Sequence, residues 1–162
     1  MDKKVVEFTL PDSGVVVRIK RIGPPLANDI RRKLKKTLAK PEPPLQEVML
    51  GDEKKMVPNL SHPDYQEAVS EYTADMGMLF LGELIRYGVD ADIDTAAVEA
   101  LRNGDEDNTL PKSDLVVYVT RVAIESTKDM LALQDAILGR FQPTEAAVSE
   151  AAENFPGPVP GA

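Results

Sequence analysis

Residues 58–89, PNLSHPDYQEAVSEYTADMGMLFLGELIRYGV, carry the longest helix-period signal in the chain and set the frame for the rest. Tyr65, Val69, Tyr72, Met76, Leu79, Phe80, Leu84 and Ile85 recur at threes and fours, the spacing that lays apolar side chains along one helical face. Ser61 is placed as N-cap, and Asp64 three residues on completes a capping box with Asp in place of Glu. Pro63 falls in the first turn, where its missing N–H has no helical partner to lose. Gly88 is a natural stop. The expected element is one long helix with a single buried stripe.

Towards the N-terminus, residues 4–10 and 15–22 read as two strands. Val6, Phe8 and Leu10 alternate with Val5, Glu7 and Thr9, and Val15, Val17 and Ile19 alternate with Val16, Arg18 and Lys20. Pro11-Asp12-Ser13-Gly14 between them is a turn signal, so the pair is an antiparallel hairpin with one buried face. A lone hairpin is marginal in water and must pack on a helix or recruit another strand. Pro24-Pro25 opens a helix over residues 26–39. Leu26, Ile30, Leu34 and Leu38 form a narrow apolar stripe, and Arg31, Arg32, Lys33, Lys35 and Lys36 occupy the rest of the cylinder. Residues 40–59, KPEPPLQEVMLGDEKKMVPN, have two readings. One is a long linker. The other is an arm in which residues 45–50 form a third strand and residues 55–57 a short return, pairing with the first hairpin or with a neighbour.

Beyond the long helix, DADID at residues 90–94 is a loop ending in an N-cap, with Asp94 or Thr95 starting a short helix to Arg102. Ser113 or Asp114 starts another, with Leu115, Val116, Val119, Val122, Ala123 and Ile124 inward. Its β-branched content makes a strand the competing reading, and the continuing spacing favours helix. Ser126-Thr127 recaps, and Met130, Leu131, Leu133, Ile137 and Leu138 form the next stripe, stopped at Gly139. Thr144 caps a last helix with Ala147, Val148, Ala151 and Phe155 inward, and residues 156–162 read as a disordered tail. The expected fold class is α+β and mostly α: an N-terminal antiparallel β-hairpin, with a third strand available, then a bundle of about five helices. The expected division is residues 1–59 for hairpin, basic helix and proline-rich arm, and 60–155 for the helical domain.

The 162 residues fit one domain, or one domain with an appended arm. The absence of cysteine excludes disulfides, thiolate metal sites and cysteine nucleophiles. MDKKVVEFTL lacks the apolar run of a secretion signal, and the longest apolar run is far too short to span a bilayer, so the chain is expected to be soluble and intracellular. The net charge of −8 is unevenly spread: residues 1–40 hold 11 Lys or Arg against 4 Asp or Glu, and the remainder is strongly acidic. An acidic whole argues against a nucleic-acid partner, and the basic helix lacks the interleaved aromatics that stack bases.

Enzymatic signatures are missing from the sequence. Neither a GxGxxG nor a P-loop pattern occurs, and His62 is the only histidine. His62 with Asp64 reads as helix-end capping rather than as an acid–base pair. DADID fails as a calcium loop, because the sixth and twelfth places from Asp90 hold Thr95 and Leu101 where Gly and Glu are needed. NGDEDN at residues 103–108 is followed by Thr109 and Leu110 and reads as a solvated turn. No catalytic, cofactor-binding or metal residue is therefore assigned, and no cofactor is expected. Met76 and Met78, with Met130, Leu131 and Leu133, are either core or an adaptable groove for a partner.

Four parts of the chain carry a resemblance: the Val-rich hairpin, PEPPLQEVMLGD, PNLSHPDYQEAVSEY and LGRFQPTEAAVSEAAENFPG. Together they resemble the tail assembly chaperones of long-tailed bacteriophages and prophages. That resemblance implies a non-enzymatic helper that coats the tape-measure protein, aids polymerisation of the tail-tube protein around it, and is absent from the finished particle. The alternative expectation is a structural subunit of a phage tail or similar particle that contributes strands to a neighbouring subunit, or self-associates.

Overall fold

The computed structural model describes residues 4–140. The last helix expected from Thr144 and the tail at residues 156–162 lie outside that range. The fold is α+β and mostly helical, with the antiparallel hairpin at its N-terminal end. Strands β1 (Val5–Thr9) and β2 (Val16–Lys20) pair in the register Val6↔Ile19 and Phe8↔Val17, across a turn in which Gly14 takes a φ of +72°. Helix α1 (Pro24–Thr37) follows, then β3 (Leu45–Leu50), β4 (Glu53–Pro58) and the long α2 (Pro63–Gly88). Strand β5 (Val89–Asp90) comes directly off α2, and α3 (Thr95–Gly104), α4 (Asp114–Tyr118) and α5 (Thr127–Leu138) complete the described chain.

Two sheets result. The first has the order β1-β2-β5, all antiparallel, so the strand that completes the N-terminal hairpin is the short β5 and not residues 45–50. Its pairing is reinforced by Arg18, which donates to Asp90 at 2.9 Å and Asp92 at 3.2 Å. These hydrogen bonds and the attraction of the two carboxylates raise the Arg18 guanidinium above its ordinary range and, in return, hold Asp90 below its own. The second sheet is β3 with β4 alone. Residues 40–59 are thus neither a linker nor an addition to the first hairpin. They form a second hairpin, because Gly51, at φ +66°, begins the two-residue turn in the position that such turns reserve for glycine.

Pro63 decides where α2 starts. A residue before proline is pushed to extended backbone, and His62, at φ −61° and ψ 129°, becomes the N-cap. Its Nδ1 accepts the Asp64 N–H at 3.3 Å. Ser61, expected as the cap, is held one step earlier: the Asn59 side-chain oxygen accepts both its N–H and its hydroxyl. The other caps follow the sequence, with Asp94, Ser113 and Ser126 each accepting a first-turn N–H.

One apolar cluster holds the fold together. The sheet side contributes Leu10, Val17, Ile19 and Ile22, α1 contributes Ala27, Ile30 and Leu34, and the C-terminal half of α2 contributes Phe80, Leu81, Leu84 and Ile85. Val116, Val119, Ala123, Leu133 and Ile137 close it from the other side. Each such side chain contributes roughly 1.5–3 kcal/mol on burial. The inward face of α2 differs from expectation by a residue: Leu81 is buried and Leu79 is exposed. The run MGMLFLGELI has Glu83 as its one polar residue, so spacing alone leaves the face undecided. Leu131 likewise faces solvent, and Leu26 is displaced by Ala27 as the inward residue of α1. Residues 115–124 are helical, but α4 runs into a π-helical turn at Val119–Ala123, closed by the Ile124 N–H on the Val119 carbonyl. That wider turn lets Val116, Val117, Val119 and Ala123 all point inward.

Gly88 lies where three elements meet. A Cβ there would stand 2.8 Å from Ile137 Cγ2, 3.0 Å from the Lys20 carbonyl oxygen and 3.2 Å from Ile22 Cδ1. Its backbone is ordinary helix, so it serves close approach and not a left-handed stop. Next to it, the Ile22 N–H donates to the Ile137 carbonyl at 2.8 Å, joining the exit of β2 to the end of α5.

Asp129 is the one buried charged residue among those described. Its carboxylate accepts N–H groups from Asp12 (2.7 Å), Ser13 (3.2 Å) and Glu125 (3.1 Å). The Ser126 hydroxyl donates to Asp12 and accepts the Asp129 N–H, and Lys128 lies 3.6 Å from Asp12. The β1–β2 turn is thereby fastened to the N-terminus of α5, 117 residues away in sequence. Burial pushes the Asp129 carboxyl up, but the hydrogen bonds from Asp12, Glu125 and Ser13 outweigh it and hold the group below the usual carboxylate range.

Two outcomes follow for stability. Gly88→Ala lowers it by about 1–3 kcal/mol through overpacking, whereas Gly77→Ala, on an exposed helix face with open space around it, raises it by about 0.5–1 kcal/mol. Urea titration of both variants checks the opposite signs. Because the folded-state pKa of Asp129 is depressed, its stabilisation is complete above the unfolded value of about 3.9 and is lost as pH falls through the folded value. Asp129→Asn should therefore melt below the parent near neutral pH, with the gap narrowing below about pH 4. Melting curves across that range decide it.

Candidate interaction surface

The β3–β4 ribbon stands on the N-terminus of α2. Its base is closed by the Asn59 N–H on the Pro44 carbonyl at 2.7 Å, and Asn59 then holds Ser61, the residue before the His62 cap. Within the ribbon, Leu45, Glu47 and Met49 share one face with Lys54, Met56 and Pro58, while Gln46, Val48 and Leu50 share the other with Glu53, Lys55 and Val57. Glu47 and Lys54 pair diagonally at 3.2 Å. No ribbon residue is buried. Leu45 is 61% exposed, Met49 57% and Met56 60%, so the first face carries three large apolar side chains in solvent around one ion pair. Among the described residues, nothing pairs with either long edge of this sheet.

The first half of α2 continues the surface. No α2 residue is buried before Phe80, and Tyr65, Val69, Tyr72 and Met76 are half-buried along the expected stripe. At about 1.5 Å per residue, the seventeen positions from Pro63 to Leu79 reach roughly 25 Å from the core. On the side of α2 away from Phe80, Met78 and Leu79 line a groove with Gly82, Pro111 and Val116, of about 510 Å³. Gly82 forms its floor, since a Cβ there would come within 3.5 Å of Val116 Cγ1. The groove runs on past Leu38 and Thr120 into a second hollow of about 260 Å³ that shares Met78, Leu79, Pro111 and Val116. The methionines considered as a partner groove therefore divide. Met78 faces the groove, Met76 and Met130 pack against the core, and Leu133 is fully buried.

The polar residues weighed for chemistry are engaged in structure. His62 caps α2, Asp94 caps α3, and Asp90 and Asp92 hold Arg18. Asp105 accepts the N–H groups of Leu110 and Thr109 and the Thr109 hydroxyl, which hold its carboxyl below the usual range. Arg102 ties Asp114 to the carbonyls of Pro111 and Lys112. Among the described residues, no three His, Asp or Glu side chains gather as a metal site, and no helix is long and apolar enough to cross a membrane. On the basic helix, Arg31 stacks 4.6 Å from the Phe80 ring centroid and so seals the α1–α2 contact, and Arg32 pairs with Asp29.

No known protein family, curated protein or solved structure matches this chain. What the structure offers is an apolar, partly ribbon-shaped surface with free strand edges and an adjoining groove. Edges of that kind accept an added strand, and the groove has the width to take apolar side chains from a helix.

The exposed side chains contribute to this surface and little to the fold. Met49→Ser combined with Met56→Ser should hold stability within about 0.5 kcal/mol per site, whereas Leu81→Ala in the core costs about 2–5 kcal/mol. Denaturant melts of the two variants check the contrast, together with loss of an apolar fluorescent dye from the ribbon variant alone.

Proposed function

We propose that this chain is a non-enzymatic phage tail assembly chaperone that binds the tape-measure protein and aids assembly of the tail tube. The reading rests on the resemblance of the hairpin, the proline-rich segment and the lead-in to α2. The observation that supports it is the solvent-facing Leu45, Met49 and Met56 of a ribbon joined to the half-exposed stripe of α2. A chaperone for a long helical client needs apolar surface that stays open in the free protein, and Met is suited to varied side chains. The Met78–Leu79 groove supplies a second contact for the same client.

The free edges of β3 and β4 favour a second reading, in which the chain is a structural subunit whose ribbon joins a neighbour's sheet. The two readings separate in one experiment. The chain, tagged and produced with the genes beside its own, is used to capture partners, and purified particles are analysed by mass spectrometry. Recovery of a very long helical protein, lost in the Met49→Ser and Met56→Ser double variant and absent from particles, is the result expected of a chaperone. Permanent presence in particles assigns the structural role, and recovery of neither a tape-measure nor a tail-tube protein overturns both.

A further inference from the structure

Val6 sits on the core-facing side of the first sheet, directly opposite Ile19, yet Ile19 is 4% exposed and Val6 52%. Nothing among the described residues covers the start of β1. Val6 there forms one wall of an open hollow of about 660 Å³, with Ile22, Pro24 and Leu138 as the other apolar walls and Lys4 and Arg21 as charged ones. Among the described residues, no acidic one lines it. The described chain ends in this hollow. At the end of α5, the Gly139 N–H donates to the Ala136 carbonyl and the Arg140 N–H to the Asp135 carbonyl, with Gly139 at φ +68°. This left-handed cap turns the chain back over the end of its helix. A Cβ on Gly139 would lie 3.5 Å from Arg21 Cδ, so the end of the described chain lies beside Arg21.

Those next residues have the composition that the hollow calls for. Residues 141–162 hold Glu145, Glu150 and Glu153 and no Lys, Arg or His. Phe141 comes first, and Ala147, Val148, Ala151 and Phe155 fall on one face at helical spacing after Thr144. We propose that the acidic, apolar-striped segment 141–155 docks in the same chain onto the hollow between β1, the exit of β2 and the end of α5. Phe141 and the Ala147–Val148 face cover Val6, Ile22 and Leu138, and the glutamates lie against Lys4 and Arg21. Only six residues, 141–146, separate Arg140 from Ala147 at the start of the stripe, so the segment needs no long connection to reach its seat. The inference is independent of the client surface, which involves different residues.

The chain contains no cysteine, so Ser149→Cys, on the side of the segment away from the apolar stripe, gives a single attachment point for a spin label on the full-length protein. The expected result is broadening of the backbone amide signals of Lys4, Val6 and Ile22, with those of Met49 and Met56 unaffected. Lys4→Glu with Arg21→Glu should abolish the broadening, and adding Glu150→Lys with Glu153→Lys should restore it. In the unlabelled protein the same Lys4 and Arg21 pair of changes should raise hydrogen exchange at Val6 by roughly tenfold. Broadening at Met49 and Met56 in place of Val6, or none at all, overturns the proposal. Spin-labelled chain mixed with isotope-labelled chain tests the remaining source: broadening at Val6 in the mixture shows a second copy's segment in the hollow and also overturns docking within one chain.

Discussion

A single buried carboxylate holds the two ends of the described chain together. Asp129 gives up its hydration to accept three backbone N–H groups, two from the β1–β2 turn and one from the residue before the α5 cap. An isolated hairpin is marginal in water, and its turn is the part most free to fray. Here the turn's donors have nowhere better to go, since Asp129 is enclosed and offers acceptors only. Once the turn is fixed, Val17 and Ile19 face α2 and α5 in a set register, and Gly88 allows α2, β2 and α5 to approach at one point. Replacing the carboxylate with an amide would present a donor to a nest of donors, which is why the constraint is specific to Asp.

The long helix divides into two working parts. From Phe80 onward it is the axis of the core, and the sheet gains its third strand simply because the chain continues straight from Gly88 into Val89 and Asp90. Before Phe80 it carries no buried residue and bears the β3–β4 ribbon on its end. The ribbon's strands satisfy one another's inner edges but bury no apolar face, so its packing contribution is small. It holds its shape through the Gly51 turn, the Glu47–Lys54 pair and the Pro44–Asn59 base. A segment that adds little to its own fold while exposing Leu45, Met49 and Met56 is the part of the chain on which the proposed partner contact rests.

Much of this was legible in the sequence, and the misses have physical causes. The first hairpin, the long helix, and the caps at Asp94, Ser113 and Ser126 are local features, written in alternation, period and N-cap chemistry. Ser61 looked the better cap by type, but Pro63 fixed the cap one residue later and Asn59 took the serine. The inward face of α2 slipped by a residue because a run whose one polar residue is Glu83 has too little polar side to orient it. Strand β5 is two residues long and exists only because β2 lies beside it, which no local pattern records. The role of Asp129 left no local mark in the sequence, since two of its partners, Asp12 and Ser13, lie at the other end of the chain. The ribbon surface was half visible: the turn and strands could be read, but whether anything covered them could not.

Charge makes the same point from the other side. A net charge of −8 with a basic first quarter invites a reading in terms of partners. The structure places much of that charge within the fold. Asp90 and Asp92 clamp Arg18, Asp94 and Asp129 serve helix ends, Asp105 organises its loop, and Asp114 holds Arg102. Arg31 covers Phe80. The surface on which the proposed recognition rests is chiefly apolar: a ribbon face with one internal ion pair, and a groove floored by Gly82 and Val116. A partner chosen by such a surface is selected by the shape and spacing of its apolar side chains and by free strand edges. Its charge would matter mainly at the rim, where Glu83, Arg86 and Lys112 stand beside the groove.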